Sequence, residues 1–264
     1  MDDTTCRAHR ERSRYNQGLK RRTYNRILRH CGAYSKQTGG IKRAMRHAHG
    51  SVVLELGCSA WADWIDRDDI HPKRLCVINI SETELDNGRK LAPASRLTPT
   101  FFLMDGHFLA FADNTFDLVY GDAILHHLDL DTALPEIKRV LRPGGRIVFR
   151  EPLGVNPIAK LVRWLTPAAR TSEEQPFRRR ELNLLRDHFD CIILPYQFFA
   201  VPLGVLSGLL MRNRKNGLTR LAGRLDDALI RRVPQAGIFY RQFTLVGTAL
   251  GRDQYQSLKE RFSP

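Results

Sequence analysis

The chain has 264 residues and 30.3 kDa, with 42 lysines and arginines against 28 aspartates and glutamates, for a formal charge of +14 and a pI near 10.0. With 42% apolar residues it can bury a proper core, which excludes a disordered basic tail, and its length fits one large domain or two small ones. The cysteines (Cys6, Cys31, Cys58, Cys76, Cys191) are odd in number, far apart and never in a C-x-x-C pair, arguing against a disulfide framework and against a thiolate zinc site.

Residues 1–50 carry a net charge of +10 and read as a basic helical extension or lid. From Asp2 to Lys20 no apolar signal region is visible, and no run of about 18 apolar residues follows, so a cytoplasmic protein without a membrane span is expected. Tyr24, Ile27, Leu28 and Cys31 follow i, i+3, i+4, i+7, the spacing of an amphipathic helix.

Residues 51–150 carry −4 and alternate strand-length apolar runs with helical patterns. The runs are Val52–Leu56, Leu75–Ile80, Phe101–Met104, Phe116–Tyr120 and Ile147–Phe149, near-continuously apolar as strands buried on both faces are. Ser81 with Glu84 three residues on forms a capping-box pattern, predicting a helix directly after the second run. Leu130, Leu134, Ile137 and Leu141 share one helical face, with Pro135 tolerable only near the first turn; Arg142-Pro143-Gly144-Gly145 then turns the chain into the fifth strand. Alternating strands and helices predict an α/β fold with a parallel sheet covered on both faces, whose ligands bind beyond the carboxyl ends of the strands where strand order reverses.

The residues after each run are therefore the candidate site. They are Gly57-Cys58-Ser59-Ala60-Trp61, Asn79-Ile80, Asp105-Gly106, Gly121-Asp122 with His126-His127, and Glu151. No G-x-G-x-x-G and no phosphate-loop motif is present.

Val53-Leu54-Glu55-Leu56-Gly57-Cys58, the Phe111–Val119 run FADNTFDLV, Ile124–Leu128 and the Glu136–Gly145 run EIKRVLRPGG resemble the successive motifs of the class I S-adenosylmethionine-dependent methyltransferases, in the small-molecule "methyltransferase type 11" branch. The resemblance covers roughly residues 50–152. It implies a Rossmann-like seven-stranded sheet with the last strand antiparallel, Cys191–Leu194 and Thr244–Leu250 supplying strands six and seven. It divides the chain into a 1–50 extension and a 51–264 methyltransferase domain, with a cofactor core to 152 and substrate-side helices and an inserted cap over 153–242.

The resemblance further implies S-adenosylmethionine as cofactor: Gly57, Cys58 and Ser59 against its methionine part with Glu55 near the ammonium, Asn79 and Ile80 near the ribose, Asp105 and Gly106 at the adenine, and Gly121 and Asp122 on the methionine side. Ser59 and Trp61 replace the family's second and third glycines, and Asn79 replaces its usual ribose-binding acid. Trp61 then either covers the cofactor or marks a differently routed loop. His126, His127 and Glu151 resemble the base candidates of sugar and natural-product O-methyltransferases, so a hydroxyl of a sugar or secondary metabolite is the expected acceptor. The rival readings are a nucleic-acid methyltransferase and a degenerate, non-catalytic binding protein; base methylation is disfavoured because Gly121-Asp122-Ala123-Ile124 contains neither Pro nor Cys.

Residues 151–264 carry +8. Residues 196–242 are apolar to Met211 and then basic at Arg212, Arg214 and Lys215, a pattern shared by an interfacial helix and by a cap over a substrate pocket; Pro195, Pro202, Gly204 and Gly208 interrupt it too often for a membrane span. The basic flanks favour an anionic or lipid-linked small-molecule acceptor over a duplex.

Overall fold

The computed structural model describes residues 29–33, 37–58, 60–155 and 177–249. The helix read over Tyr24–Cys31 falls mostly outside them, and Ser59 and Leu250 lie outside them too.

The strands are β1 (Val52–Leu56), β2 (Arg74–Asn79), β3 (Thr100–Leu103), β4 (Phe116–Asp122), β5 (Leu141–Pro152), β6 (Asp190–Tyr196) and β7 (Gln242–Thr248). They form one sheet in the order β3-β2-β1-β4-β5-β7-β6. β1 to β5 pair in parallel, and β7 runs antiparallel to both β5 and β6. The expected seven-stranded architecture with its antiparallel last strand is therefore the observed one. Strand order reverses at β1, which lies between β2 and β4 and opens a crevice at their carboxyl ends.

The near-continuous apolarity of the strands has the consequence expected of it. Leu54, Leu56, Cys76, Ile78 and Val119 enter one core, and Val53, Leu75, Val77, Leu118 and Tyr120 the other, because successive side chains point to opposite faces. The first face is covered by α3 (Leu130–Val140) through Leu130, Leu134 and Ile137, and by α4 (Arg179–His188) through Leu182 and Leu185. The second is covered by α1 (Gln37–Met45), by a π-helical turn at Ala62–Asp66, and by α2 (Glu82–Leu91) through Leu85.

Three local expectations are refined. Ser81 caps α2 by accepting from the Glu84 N–H at 3.4 Å, but its own N–H donates to Asn79 Oδ1 at 2.8 Å, so only half of the capping box forms. Pro135 sits one turn inside α3; it and Asp131, whose carbonyl loses its intrahelical donor, are both exposed, so water can serve that carbonyl. Arg142–Gly145 does not end the strand pairing: Leu141 pairs with Phe116 and Arg146 with Leu118, and the four residues between bulge out, with Gly144 at φ +78°.

Between β6 and β7 the chain forms α5 (Ala200–Leu210) and α6 (Gly217–Arg232), which pack on each other. Since β6 ends and β7 begins at the carboxyl end of the parallel strands, this hairpin rises from the same end of the sheet as the crevice. Asp226 of α6 accepts from the N–H groups of Phe198, Phe199 and Ala200, with the shortest bond, 2.6 Å, to Phe199, and so caps α5 from its neighbour. Gly204 brings α5 onto the backbone at Cys31: a Cβ there would stand 2.6 Å from the Cys31 Cα.

Candidate active site in the β1–β5 crevice

An open cleft enclosing about 820 Å³, its solvent-facing mouth included, lies at the carboxyl ends of β1 to β4. Of the expected site residues, Gly57, Asn79, Ile80, Asp105, Gly106, Asp122 and His127 line it, together with Glu84, His107 and Leu128. Glu55, Cys58, Trp61, Gly121, His126 and Glu151 stand behind that lining.

The loop after β1 is shaped by two left-handed residues, Gly57 (φ +107°) and Cys58 (φ +61°). Glu55, fully buried, accepts from the Ala60 N–H at 2.8 Å with one oxygen and from the Tyr120 hydroxyl with the other, so it anchors the loop from beneath. Asn79 closes it from the side, its Nδ2 donating to the Gly57 carbonyl at 2.6 Å. Trp61 settles into the core at 1% exposure, edge-on to Phe101 at 6.4 Å, and leaves the cleft clear. Of the two routes open to it from sequence, the rerouted loop is the one taken, and the turn Ala62–Asp66 follows directly. Burial, then the nearby Glu55 and Glu84 charges, push the Cys58 thiol up to about 12, making it an inert group behind the lining.

At the end of β3, Asp105 Oδ1 accepts from the His107 N–H at 2.9 Å and from its ring Nδ1 at 2.6 Å. The Asp129 N–H donates to His107 Nε2 at 2.8 Å, which makes Nε2 the acceptor and fixes the proton on Nδ1. Burial raises the Asp105 carboxyl, but the His107 bonds outweigh it and hold the pKa below the ordinary value. Oδ1 is thereby committed, and Oδ2 is the oxygen left to accept from a ligand. Gly106 lies close under Leu128, 3.2 Å from where a Cβ would sit. Sequence reasoning missed His107; its position two residues after the acid, within reach of the same carboxylate, was the available signal.

At the ends of β4 and β5, Gly121 allows β4 to meet β1: a Cβ there would lie 2.9 Å from the Leu56 carbonyl and 2.6 Å from Ile124. Asp122 accepts from Arg150 Nε at 2.6 Å and also from its Nη2, a bidentate pair. The guanidinium lies over Trp64 at 5.3 Å. Glu151, with no exposure, takes the N–H groups of Ile124 (3.0 Å) and Leu125 (2.8 Å) on Oε1 and the His126 ring Nδ1 (2.8 Å) on Oε2. Burial pushes its pKa up to about 8 against the pull of those N–H donors. The His126 and His127 rings lie 4.1 Å apart, and His127 reaches the cleft. No cluster of three or more metal-ligating side chains occurs among the described residues.

Residues 54–149, the strands and turns that build this cleft, match the family described as a methyltransferase domain. That stretch of the chain is similar to a methyltransferase domain. The curated relatives of the methyltransferase domain include the O-methyltransferase cnsE of Penicillium expansum, 32% identical over 42% of this chain and 41% of that protein. Another is a dimethylglycine N-methyltransferase of Parasynechococcus marenigrum, 34% identical over 41% of this chain and 40% of that protein. The chain thus spans about two fifths of the length of these relatives. Among solved structures, geranyl diphosphate C-methyltransferase from Streptomyces coelicolor A3(2), crystallised with S-adenosyl-L-homocysteine, superposes with a TM-score of 0.58 at 16% identity, covering 81% of this chain and 75% of that one. By their names these relatives methylate oxygen, nitrogen and carbon; what they share with this chain is the domain and its fold.

Proposed function

We propose that the protein is an S-adenosylmethionine-dependent methyltransferase of small molecules, and that its acceptor is a hydroxyl. The observation that carries the cofactor is the cleft at the β1 switch point, with a half-committed carboxylate, Asp105, at its β3 end. Three features support the fit. Gly57 holds the lining backbone at φ +107°, a conformation side-chain-bearing residues rarely adopt, and at Gly106 an added Cβ would crowd Leu128 at 3.2 Å. Glu84 and Asp105 give the cleft an acidic lining, Asp122 being already paired with Arg150, and this suits a ligand with an ammonium and a sulfonium. Trp61, which stands at a glycine position of the family pattern, is out of the way.

When bound, that cofactor supplies an electrophilic methyl group on a sulfonium sulfur. The chain's own residues then have separate tasks. Asp105 Oδ2 accepts from the adenine amine, Gly106 lets a flat ring approach the backbone, and Asn79, spanning Gly57 and Ser81, holds the ribose side in shape. Catalysis of an in-line displacement rests on positioning, but a hydroxyl acceptor must also lose a proton. The buried Glu151–His126 pair beside His127 supports that second role: an ionised Glu151 accepts from Nδ1–H and leaves Nε2 as the acceptor nitrogen of the ring. The acidic cleft also disfavours a phosphate backbone as substrate. Mass spectrometry of reactions with hydroxyl-bearing and amine-bearing acceptors tests this reading. A 14-Da gain, about one CH₂, on hydroxyl acceptors alone is expected; transfer to amines with full activity in His126→Ala would overturn the hydroxyl assignment.

A further inference from the structure

The α5–α6 hairpin presents a surface that the cleft chemistry does not use. α5 is apolar around its whole circumference, with Ser207 its one polar side chain, and such a helix is normally buried on every side. Here its far end protrudes: Leu209 is 64% and Leu210 70% exposed, with Leu206 and Met211 exposed beside them. Arg212, Arg214 and Lys215 follow at once and are all exposed. On α6, exposed Leu221 and Leu225 run alongside exposed Arg224, three to four residues apart on one face. Every exposed charged side chain between residues 200 and 233 is basic, the acids Asp226 and Asp227 being buried or half-buried.

We infer that this hairpin docks on an anionic lipid surface, the leucines entering the acyl boundary and the arginines meeting the headgroups. Leucine tips flanked by long basic side chains are what an interfacial segment needs, since the charged heads can snorkel to phosphate while the stems stay apolar. A second copy of the chain is a poor occupant, because its matching face is equally basic. A nucleic acid is another poor one, since the tip offers leucines where base stacking needs aromatic rings. With 11 residues, α5 lies on a bilayer and does not cross it, and no helix among the described residues is long and apolar enough to do so.

Vesicle co-sedimentation of the full chain tests this, using phosphatidylcholine vesicles with and without about a quarter phosphatidylglycerol. The anionic vesicles are expected to bind the protein about tenfold or more tightly than the neutral ones. The double variant Leu209→Ser/Leu210→Ser should lose about tenfold of that binding, as should the triple variant Arg212→Ala/Arg214→Ala/Lys215→Ala, the latter with a reduced salt dependence. A Leu210→Trp variant keeps the tip apolar and should show a blue shift of its added fluorescence with anionic vesicles only. Equal binding to both vesicle types overturns the inference. So does binding that survives the leucine variant unchanged, which would assign it to the basic N-terminal segment, and so does an unshifted Leu210→Trp spectrum.

Discussion

Glu151 is the most constrained side chain of the site: fully buried, it is held by two backbone N–H groups on one oxygen and by the His126 ring on the other. Its proton decides which nitrogen of His126 can act. Neutral Glu151 donates to Nδ1 and drives the ring proton to Nε2; ionised Glu151 accepts from Nδ1–H and leaves the Nε2 lone pair available. Turnover on a hydroxyl acceptor should therefore rise with pH through an inflection near 8, the value to which burial pushes Glu151. A pH–rate profile of Glu151→Gln should lack that inflection and run about a hundredfold lower, with cofactor affinity unchanged. The same shift affects stability with a definite sign. The folded carboxyl keeps its proton to about 8, whereas an ordinary one loses it near 4.5, so stability falls as pH rises between those values. Thermal unfolding of the wild type from pH 5 to 8 should show that decline, and Glu151→Gln should flatten it. Asp105 works the other way: its lowered pKa contributes stability present above the ordinary carboxylate range and lost as the pH falls through its folded value.

At the scale of elements, Gly121 and Asp226 fix where the site and the hairpin sit. A Gly121→Ala change drives a methyl into the Leu56 carbonyl and Ile124 and should cost about 1–3 kcal/mol in chemical denaturation, with Ile124 displaced toward the cleft. Asp226→Ala strips the N-terminus of α5 of its acceptor and should cost about 2 kcal/mol, with faster amide exchange at Phe198–Ala200 than elsewhere in the hairpin. What could be read beforehand follows from this division. Strand positions were legible because buried parallel strands are short, apolar and bounded by polar residues; β1 begins and ends where its apolar run does. That polar residues at the strand ends would meet in one cleft was legible for the same reason. Tertiary partners were not: that Glu55 would meet the Tyr120 hydroxyl and that Trp61 would sink into the core against Phe101 depend on neighbours distant in sequence, and the Asn79–Ser81 bond, though local, competes with the capping box the pattern shows. Asp226 gave no signal at all, being one of two adjacent acids in a helix, with partners 26 to 28 residues away.

Across the whole molecule, charge and geometry separate the two ends of the function. The 51–150 segment carries −4 and forms an acidic cleft, while the flanks carry +10 and +8. The excess of positive charge thus lies outside the cofactor cleft, and part of it lies on the hairpin that rises from the same end of the sheet. This arrangement depends on one claim, that the cleft at the β1 switch point takes S-adenosylmethionine with Asp105 as an anchor. Titration calorimetry of the full chain with that molecule, beside Asp105→Ala checked for an unchanged fold by circular dichroism, tests it most directly. One site per chain is expected, with a loss of about tenfold or more in the variant, the worth of a charge-assisted hydrogen bond. Absence of binding to the wild type at millimolar cofactor, or equal affinity in the two proteins, would contradict it.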